Sequence, residues 1–369
     1  MPKKHPTPAH LRDRIAVLRK RLRDADVDAL LVTNPRDIRY LTCFVGDDSW
    51  ALISQRSSQA TILSDFRFDE QIAREAPHAK VILRKKSLTD ELAALLDRTK
   101  ADRIGLQPGH VTLAMRKAIV KKLGAKRVVA FDDKLLEQRA VKSADEVKAI
   151  RKALRIQQQA FRETCAFMEP GQSEQEVAAY LEYRMRVLGA DGVSFPTIVA
   201  ADANASLPHA VPGSKKLRRN GTVLIDWGAK WNGYCSDLTR VVALERMSAK
   251  VQAIYQIVLD AQLAAIDAIA PGKPLKAIDA VARKVITDAG YGDRFGHSLG
   301  HGIGLDIHEQ PTLSPRSEGV LEPGQVVTVE PGIYLPGVGG VRIEDDVLVT
   351  ARGATVLSDL PKSLESAII

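Results

Sequence analysis

The second half of this 369-residue chain is written twice. Over residues 143–200 the pattern predicts a helix, the turn MEPG, a second helix, a glycine and a strand. Over 249–300 it predicts a helix, the turn IAPGK, a second helix and a glycine. Phe195 answers Phe295, and Pro208-His209 answers Ile307-His308. LRRNGTVLID (217–226) answers LEPGQVVTVE (321–330), each ending on an acid. A period of about 100 residues is too long for a solenoid. It implies two similar α/β halves packed face to face, with any site on their shared sheet.

The first 135 residues follow a different rule. Apolar runs at 28–33, 50–54, 60–64, 80–84, 103–107 and 127–131 read as strands. Helices are expected at 34–42, 66–75, 89–98 and 112–123, which gives a sheet covered by helices. Residues 136–142 read as a junction. A long helix then starts at Ser143, with Glu146 completing a capping box, and ends at Pro170-Gly171. The expectation is a smaller α/β domain over 1–135 and a duplicated domain over 136–369.

Composition removes several classes of function. No apolar run is long enough to span a membrane. The opening MPKKHPTPAHLRDR carries no apolar signal core, so a cytoplasmic location is expected. Three widely spaced cysteines form no disulfide framework and read as buried thiols. The net charge of +8 is concentrated in residues 1–23, where Lys3, Lys4, Arg12, Arg14, Arg19, Lys20, Arg21 and Arg23 face one acid, Asp13. Leu11, Ile15, Leu18 and Leu22 make that stretch an amphipathic helix whose basic residues form the solvated face. No aromatic residue interleaves with them, so a nucleic-acid partner is not expected.

Five residues carry the chemistry: Asp226, Asp237, His301, Glu330 and Glu344. Four carboxylates and one imidazole suit two divalent ions such as Mn²⁺, Co²⁺ or Zn²⁺. In LIDWGAKWNGYCSDLTR, Asn232-Gly233 is a two-residue hairpin signal. Pairing Trp231 with Tyr234 sets Asp226 opposite Thr239 and Asp237 opposite Gly228. The two Asp are then diagonal neighbours on one face, about 7–8 Å apart at the backbone. VVTVE (326–330) and GVRIEDDVLVT (340–350) read as two strands joined by PGIYLPGVG. An odd-length loop, or a bulge, sets Glu330 opposite Glu344. Arg342 shares that face, either as a counter-ion or as a bidentate partner for a substrate carboxylate. In FGHSLGHGIGLDIHE (295–309) the glycines argue against a helix and for a loop that lets backbone approach a ligand. Three of the chain's eight histidines fall there, within twelve residues.

The chemistry expected of this set is hydrolysis. Two ions roughly 3.5–4 Å apart hold a bridging hydroxide that attacks a carbonyl. His308 or His209 would stabilise the developing negative charge. Glu330 would take the water's proton and pass it to the leaving nitrogen.

LIDWGAKWNGYCSDLTR, HSLGHGIGLDIHE, TVEPGIY and GGVRIEDDVLV resemble, in order, the signatures of the pita-bread metallopeptidases. NPRDIRYLTCFVGDDSWALI resembles the extra domain of the creatinase, prolidase and aminopeptidase P branch. The resemblance implies an α+β protein: a duplicated pita-bread domain, with a curved, mostly antiparallel sheet and helices outside, after a smaller creatinase-like α/β domain. It implies that Asp226 chelates the second ion, that Asp237 and Glu344 bridge both, and that His301 and Glu330 complete the first. His209 and His308 would contact the substrate and the tetrahedral intermediate. His297 and Arg342 would line a proline subsite, with Tyr334 nearby.

The activity so implied is that of an Xaa-Pro dipeptidase, working with two divalent ions, Mn²⁺ ahead of Co²⁺ or Zn²⁺, as a homodimer. The alternative is an aminopeptidase P-like enzyme that trims longer peptides. A non-catalytic pita-bread binding protein is a further alternative, disfavoured by the complete ligand set.

Overall fold

The computed structural model describes residues 8–132 and 134–369, so Lys3 and Lys4 lie outside the described residues. The chain divides into two compact units, one ending at Gln138 and one spanning Arg139–Ile369.

The first unit alternates helix and strand: α1 (Pro8–Asp24), β1 (Ala29–Val32), α2 (Pro35–Thr42), β2 (Trp50–Ser54), β3 (Thr61–Ser64), α3 (Asp69–Glu75), β4 (Lys80–Leu83), α4 (Leu88–Thr99), β5 (Ile104–Leu106), α5 (Leu113–Leu123) and β6 (Val128–Ala130). The strands form one mixed sheet in the order β4-β3-β2-β1-β5-β6. Leu31, Leu52 and Leu63 of the sheet share a core with Leu92, Leu96 and Ile119 of α4 and α5. Asn34 caps α2 by accepting the Arg36 amide at 3.1 Å, and Pro35 takes the first helical position.

Leu11, Ile15, Leu18 and Leu22 of α1 are all buried, as their spacing requires. The expected solvated basic face needs one correction. Arg14 is buried: its Nη1 donates to the Tyr40 carbonyl at 2.7 Å and its guanidinium lies 4.0 Å over the Tyr40 ring. A planar guanidinium can leave water when it has an acceptor and an aromatic face. Two further differences are local. Residues 66–75 are a 3₁₀ turn (Phe66–Phe68) followed by α3, and most of the expected junction is the helix α6 (Lys134–Ala140).

The second unit opens with α7 (Ala144–Phe167) and α8 (Glu174–Val187). Both start with capping boxes, Ser143 with Glu146 and Ser173 with Glu176. Strands β7 (Gly192–Val193), β8 (Ile198–Ala201), β9 (Thr222–Trp227), β10 (Ala229–Trp231), β11 (Tyr234–Cys235) and β12 (Leu238–Ala243) follow. The second repeat brings α9 (Ala249–Ala268), α10 (Leu275–Asp288), β13 (Gly300–Gly302), β14 (Glu309–Leu313), β15 (Val326–Val329), β16 (Gly332–Leu335), β17 (Gly339–Arg342), β18 (Asp345–Val349) and β19 (Ala354–Val356). The duplication is visible in backbone detail. Gly171 and Gly272 both take positive φ (93° and 78°) between their helices. Their amides donate to the Leu217 and Leu321 carbonyls at 2.9 and 2.8 Å.

The ladders of this unit are antiparallel, with strand orders β12-β9-β8, β11-β10-β7, β14-β13-β15-β18-β19 and β16-β17. Helix residues Ile254, Val258, Ile278 and Ile286 share one core with Leu224, Val241, Val327 and Val341 of the strands. Helix pairs packed on antiparallel strands make the unit α+β.

Two registers aim the acids. Asn232 and Gly233 both take positive φ (48° and 74°), the requirement of a type I′ turn, and Trp231 pairs with Tyr234. The count carries outward to Asp226 opposite Thr239. In the second repeat Val329 pairs with Asp345, and Gly332 pairs with Arg342 in the same register. Glu330 and Glu344 therefore face each other with no bulge between them. The expected connecting loop PGIYLPGVG is mostly strand: β16 and β17 extend the ribbon, and only 336–338 turn.

Replacing Leu18 with Ala should destabilise the first unit by about 2–5 kcal/mol, whereas Lys20→Ala should change it by less than about 0.5 kcal/mol. Urea unfolding of both variants checks this. Equal midpoints would mean that the leucine stripe is not packed.

Candidate metal centre

The sequence-derived ligands converge. One ligand atom each from Asp237, His301 and Glu344 lie within 4.8 Å of one another. His301 Nε2 is 3.7 Å from Asp237 Oδ2 and 3.4 Å from Glu330 Oε1. Asp226 stands at the side of this group, its Oδ2 taking Arg342 Nη2 at 2.5 Å. All five line a cavity of about 600 Å³. His209, His297, His308 and Arg342 line it too, among apolar residues that include Phe195, Ile198 and Ile307.

Most of these residues are held from behind. Thr239 Oγ1 donates to Glu344 Oε2 at 2.6 Å and accepts from Arg342 Nε at 3.0 Å. Thr328 Oγ1 donates to Glu330 Oε1 at 3.0 Å and accepts the His301 amide at 3.0 Å. The Asp237 amide donates to Asp346 Oδ2 at 3.2 Å. These supports did not emerge from the sequence alone. The usable signal is alternation: Thr328 and Asp346 each lie two residues from a ligand, and Thr239 pairs with Asp226.

His301 is not in a loop. It sits in β13, flanked by β14 and β15. The close approach its glycines allow is to neighbouring strands: a Cβ on Gly300 would stand 1.9 Å from the Thr328 carbonyl oxygen.

Arg342 is a counter-ion more than a free hand. Besides Asp226 and Thr239, its Nη1 reaches the Tyr334 hydroxyl at 2.9 Å and the Pro208 carbonyl at 3.3 Å. A bidentate grip on a substrate carboxylate would require breaking these bonds. Tyr334 does not line the cavity. It is buried behind it, with its hydroxyl 2.9 Å from His297 Nε2. His297 Nδ1 faces the Ser298 carbonyl at 2.8 Å, so Nδ1 donates and Nε2 accepts the tyrosine proton. Burial pushes the His297 pKa down to about 4, which keeps the ring neutral.

The electrostatics at the centre of the set show what the residues fit. His301 Nδ1 faces the Gly302 carbonyl at 3.0 Å, which can only accept, so Nδ1 carries the proton. The Nε2 lone pair then points at the oxygens of Asp237 and Glu330. Asp226 Oδ1 and Asp237 Oδ1 are buried with no hydrogen-bond partner among the described residues. Burial first, then the neighbouring carboxylates Glu344 and Asp226, push the Asp237 pKa well above its ordinary value. Burial, Glu330 and Asp226 do the same to Glu344. Burial raises Glu330 to about 7. Arg342 is the only Lys or Arg among the described residues lining the cavity. Acceptors turned on acceptors in a buried pocket are the donor set of a hard cation.

Comparison with known proteins agrees with this chemistry. Residues 148–351 match metallopeptidase family M24, and residues 14–141 match the creatinase/prolidase N-terminal domain. An Xaa-Pro dipeptidase of Pyrococcus furiosus is 35% identical over 354 residues, covering 96% of this chain and 100% of that protein. The solved structure of an Xaa-Pro dipeptidase from Bacillus anthracis matches with TM-score 0.93 at 39% identity, covering 96% of this chain and 99% of that one. An X-Pro aminopeptidase from Thermotoga maritima matches with TM-score 0.88 at 37% identity, covering 93% and 99%. The chain belongs to metallopeptidase family M24, with the pita-bread catalytic domain preceded by a creatinase-type domain. Membership implies divalent metal ions. Among the described residues no helix is long and apolar enough to cross a membrane.

The raised carboxyls set a sign for stability. Folded Asp237, Glu330 and Glu344 hold protons that the unfolded chain releases from about pH 4 upward, so metal-free stability falls as pH rises toward 7 and beyond. Calorimetry in chelator should show the Tm dropping across that window. Asp237→Asn should be more stable than wild type without metal at about pH 8 and should lose the Mn²⁺-induced rise in Tm. A metal-free Tm that is flat with pH would contradict the clustering.

Proposed function

We propose that the chain hydrolyses Xaa-Pro dipeptides with two divalent cations held by Asp226, Asp237, His301, Glu330 and Glu344, with Mn²⁺ the preferred metal. The observation that carries this is the cluster of converging acceptor atoms of Asp237, His301 and Glu344 lining a partly apolar cavity. Four carboxylates against one arginine leave an excess of negative charge that suits more than one divalent ion. Bound there, the cations supply a water acidified toward neutrality and a polarised peptide carbonyl.

The rest falls to side chains. Glu330, with Oε1 steadied by Thr328, takes the water's proton and delivers it to the departing proline nitrogen. His209 and His308 are exposed at the cavity and donate to the carbonyl oxygen as charge builds on it. Neutral His297 and the side of Arg342 border the proline ring, and Tyr334 keeps both in place. Catalysis belongs to residues 136–369 on this view, with 1–135 a separate domain. The working form is a homodimer, and a reducing compartment such as the cytoplasm suits three free thiols.

The similarity to an X-Pro aminopeptidase supports a second reading, removal of the first residue from longer peptides. Ala-Pro and Ala-Pro-Ala assayed with Mn²⁺ separate the two. Ala-Pro should be cleaved at least about tenfold more efficiently, and rapid cleavage of the tripeptide would overturn the dipeptidase assignment. Asp237→Asn should abolish metal-dependent turnover while keeping native circular dichroism. Unchanged activity in that variant would remove Asp237 from the site.

A further inference from the structure

Four charged side chains of the second unit meet beside the metal set, and the mechanism uses none of them. Arg139 and Lys142 have side chains only 1% exposed, and that of Glu309 is 3% exposed. Lys142 Nζ donates to Glu309 Oε2 at 3.0 Å and to the Ala140 carbonyl at 3.1 Å. Arg139 Nη2 donates to Glu309 Oε1 and, at 2.6 Å, to Asp306 Oδ2. The Asp306 amide also donates to Glu309 Oε1, at 3.0 Å. A Cβ on Gly304 would stand 2.6 Å from Glu309 Oε2, so the chain from Gly304 onward is wound directly on this carboxylate. Burial alone would raise the Glu309 pKa, but Lys142 and Arg139 outweigh it and hold the group below its ordinary value.

Glu309 is the residue after His308, where β14 begins. Successive side chains point opposite ways, so Glu309 enters the body while His308 stays exposed at the cavity. The His308 ring meets His301 edge-on, with centroids 4.4 Å apart. A buried cluster of this kind contributes little net stability compared with apolar packing, but it fixes geometry through directional bonds.

We propose that Glu309, clamped by Arg139 and Lys142, is a positioning residue that fixes the Gly304–His308 loop and so aims His308 at the substrate carbonyl. The assignment rests on the peptidase function proposed above, in which His308 contacts the substrate.

The test uses the full chain with Mn²⁺ and Ala-Pro. Glu309→Gln should lower kcat by about 10–100-fold with KM within about twofold, and the Mn²⁺-induced Tm rise should persist. In a His308→Ala background the same substitution should cost less than about twofold, because its effect passes through that ring. Equal fold losses in both backgrounds would overturn the proposal, as would a folded Glu309→Gln variant with wild-type kcat. Glu309→Gln alone leaves Lys142 buried without its acid, so a second, charge-balanced variant separates loss of folding from loss of positioning. The charge-balanced pair Lys142→Met/Glu309→Gln keeps the Arg139–Asp306 contact and should show the same kcat loss, whereas Lys142→Arg should stay within about threefold of wild type. Wild-type kcat in the balanced pair would equally refute the assignment. A wild-type protein that turns over no Xaa-Pro peptide would sink the peptidase function itself.

Discussion

Repulsion organises this molecule. Asp237, Glu330 and Glu344 are buried against one another, and the lone pair of His301 points into the same space. Keeping these groups ionised without a cation is unfavourable, so they take up protons when metal-free and the surrounding structure has to hold them together. Hydrophobic burial in the helix-covered sheet supplies that force. The hydroxyls of Thr239 and Thr328 then limit how far the acids can turn away. Stability and function pull in opposite directions here, and the metal reconciles them.

The enforcement is mostly a matter of counting residues. A hairpin of fixed turn length leaves each strand residue one partner, and side chains alternate. Asn232-Gly233 sets the count for the Asp arm, and the three-residue turn at 336–338 sets it for the Glu arm. A deletion in either turn would rotate its ligand away from the cavity. The two repeats contribute one arm each, so the centre exists only because the duplicated halves meet.

Much of this was legible in the sequence. The α1 stripe, the strand positions and the Asp226–Thr239 pairing follow from periodicity and turn chemistry, which are local properties of the chain, whereas the meeting of the ligands is implied by the family resemblance. What escaped depends on contacts between distant residues. The burial of Arg14 needs the Tyr40 ring and carbonyl, brought close only by tertiary packing. The full engagement of Arg342 needs Pro208, Asp226, Thr239 and Tyr334, which lie on four segments. Glycine density in 295–304 correctly warned against a helix. It could not reveal whether the close neighbour was a ligand or another strand, because a missing Cβ looks the same in both cases.

Gly300 brings two ligands of the second repeat onto one support. With no room for even a methyl group against the Thr328 carbonyl, β13 lies closer to β15 than any residue but glycine would allow. The single Thr328 hydroxyl also joins the backbone beneath His301 to the carboxylate of Glu330. The histidine strand and the Glu330 carboxylate are thus referred to the same hydroxyl, so a change at position 328 reaches two ligands at once.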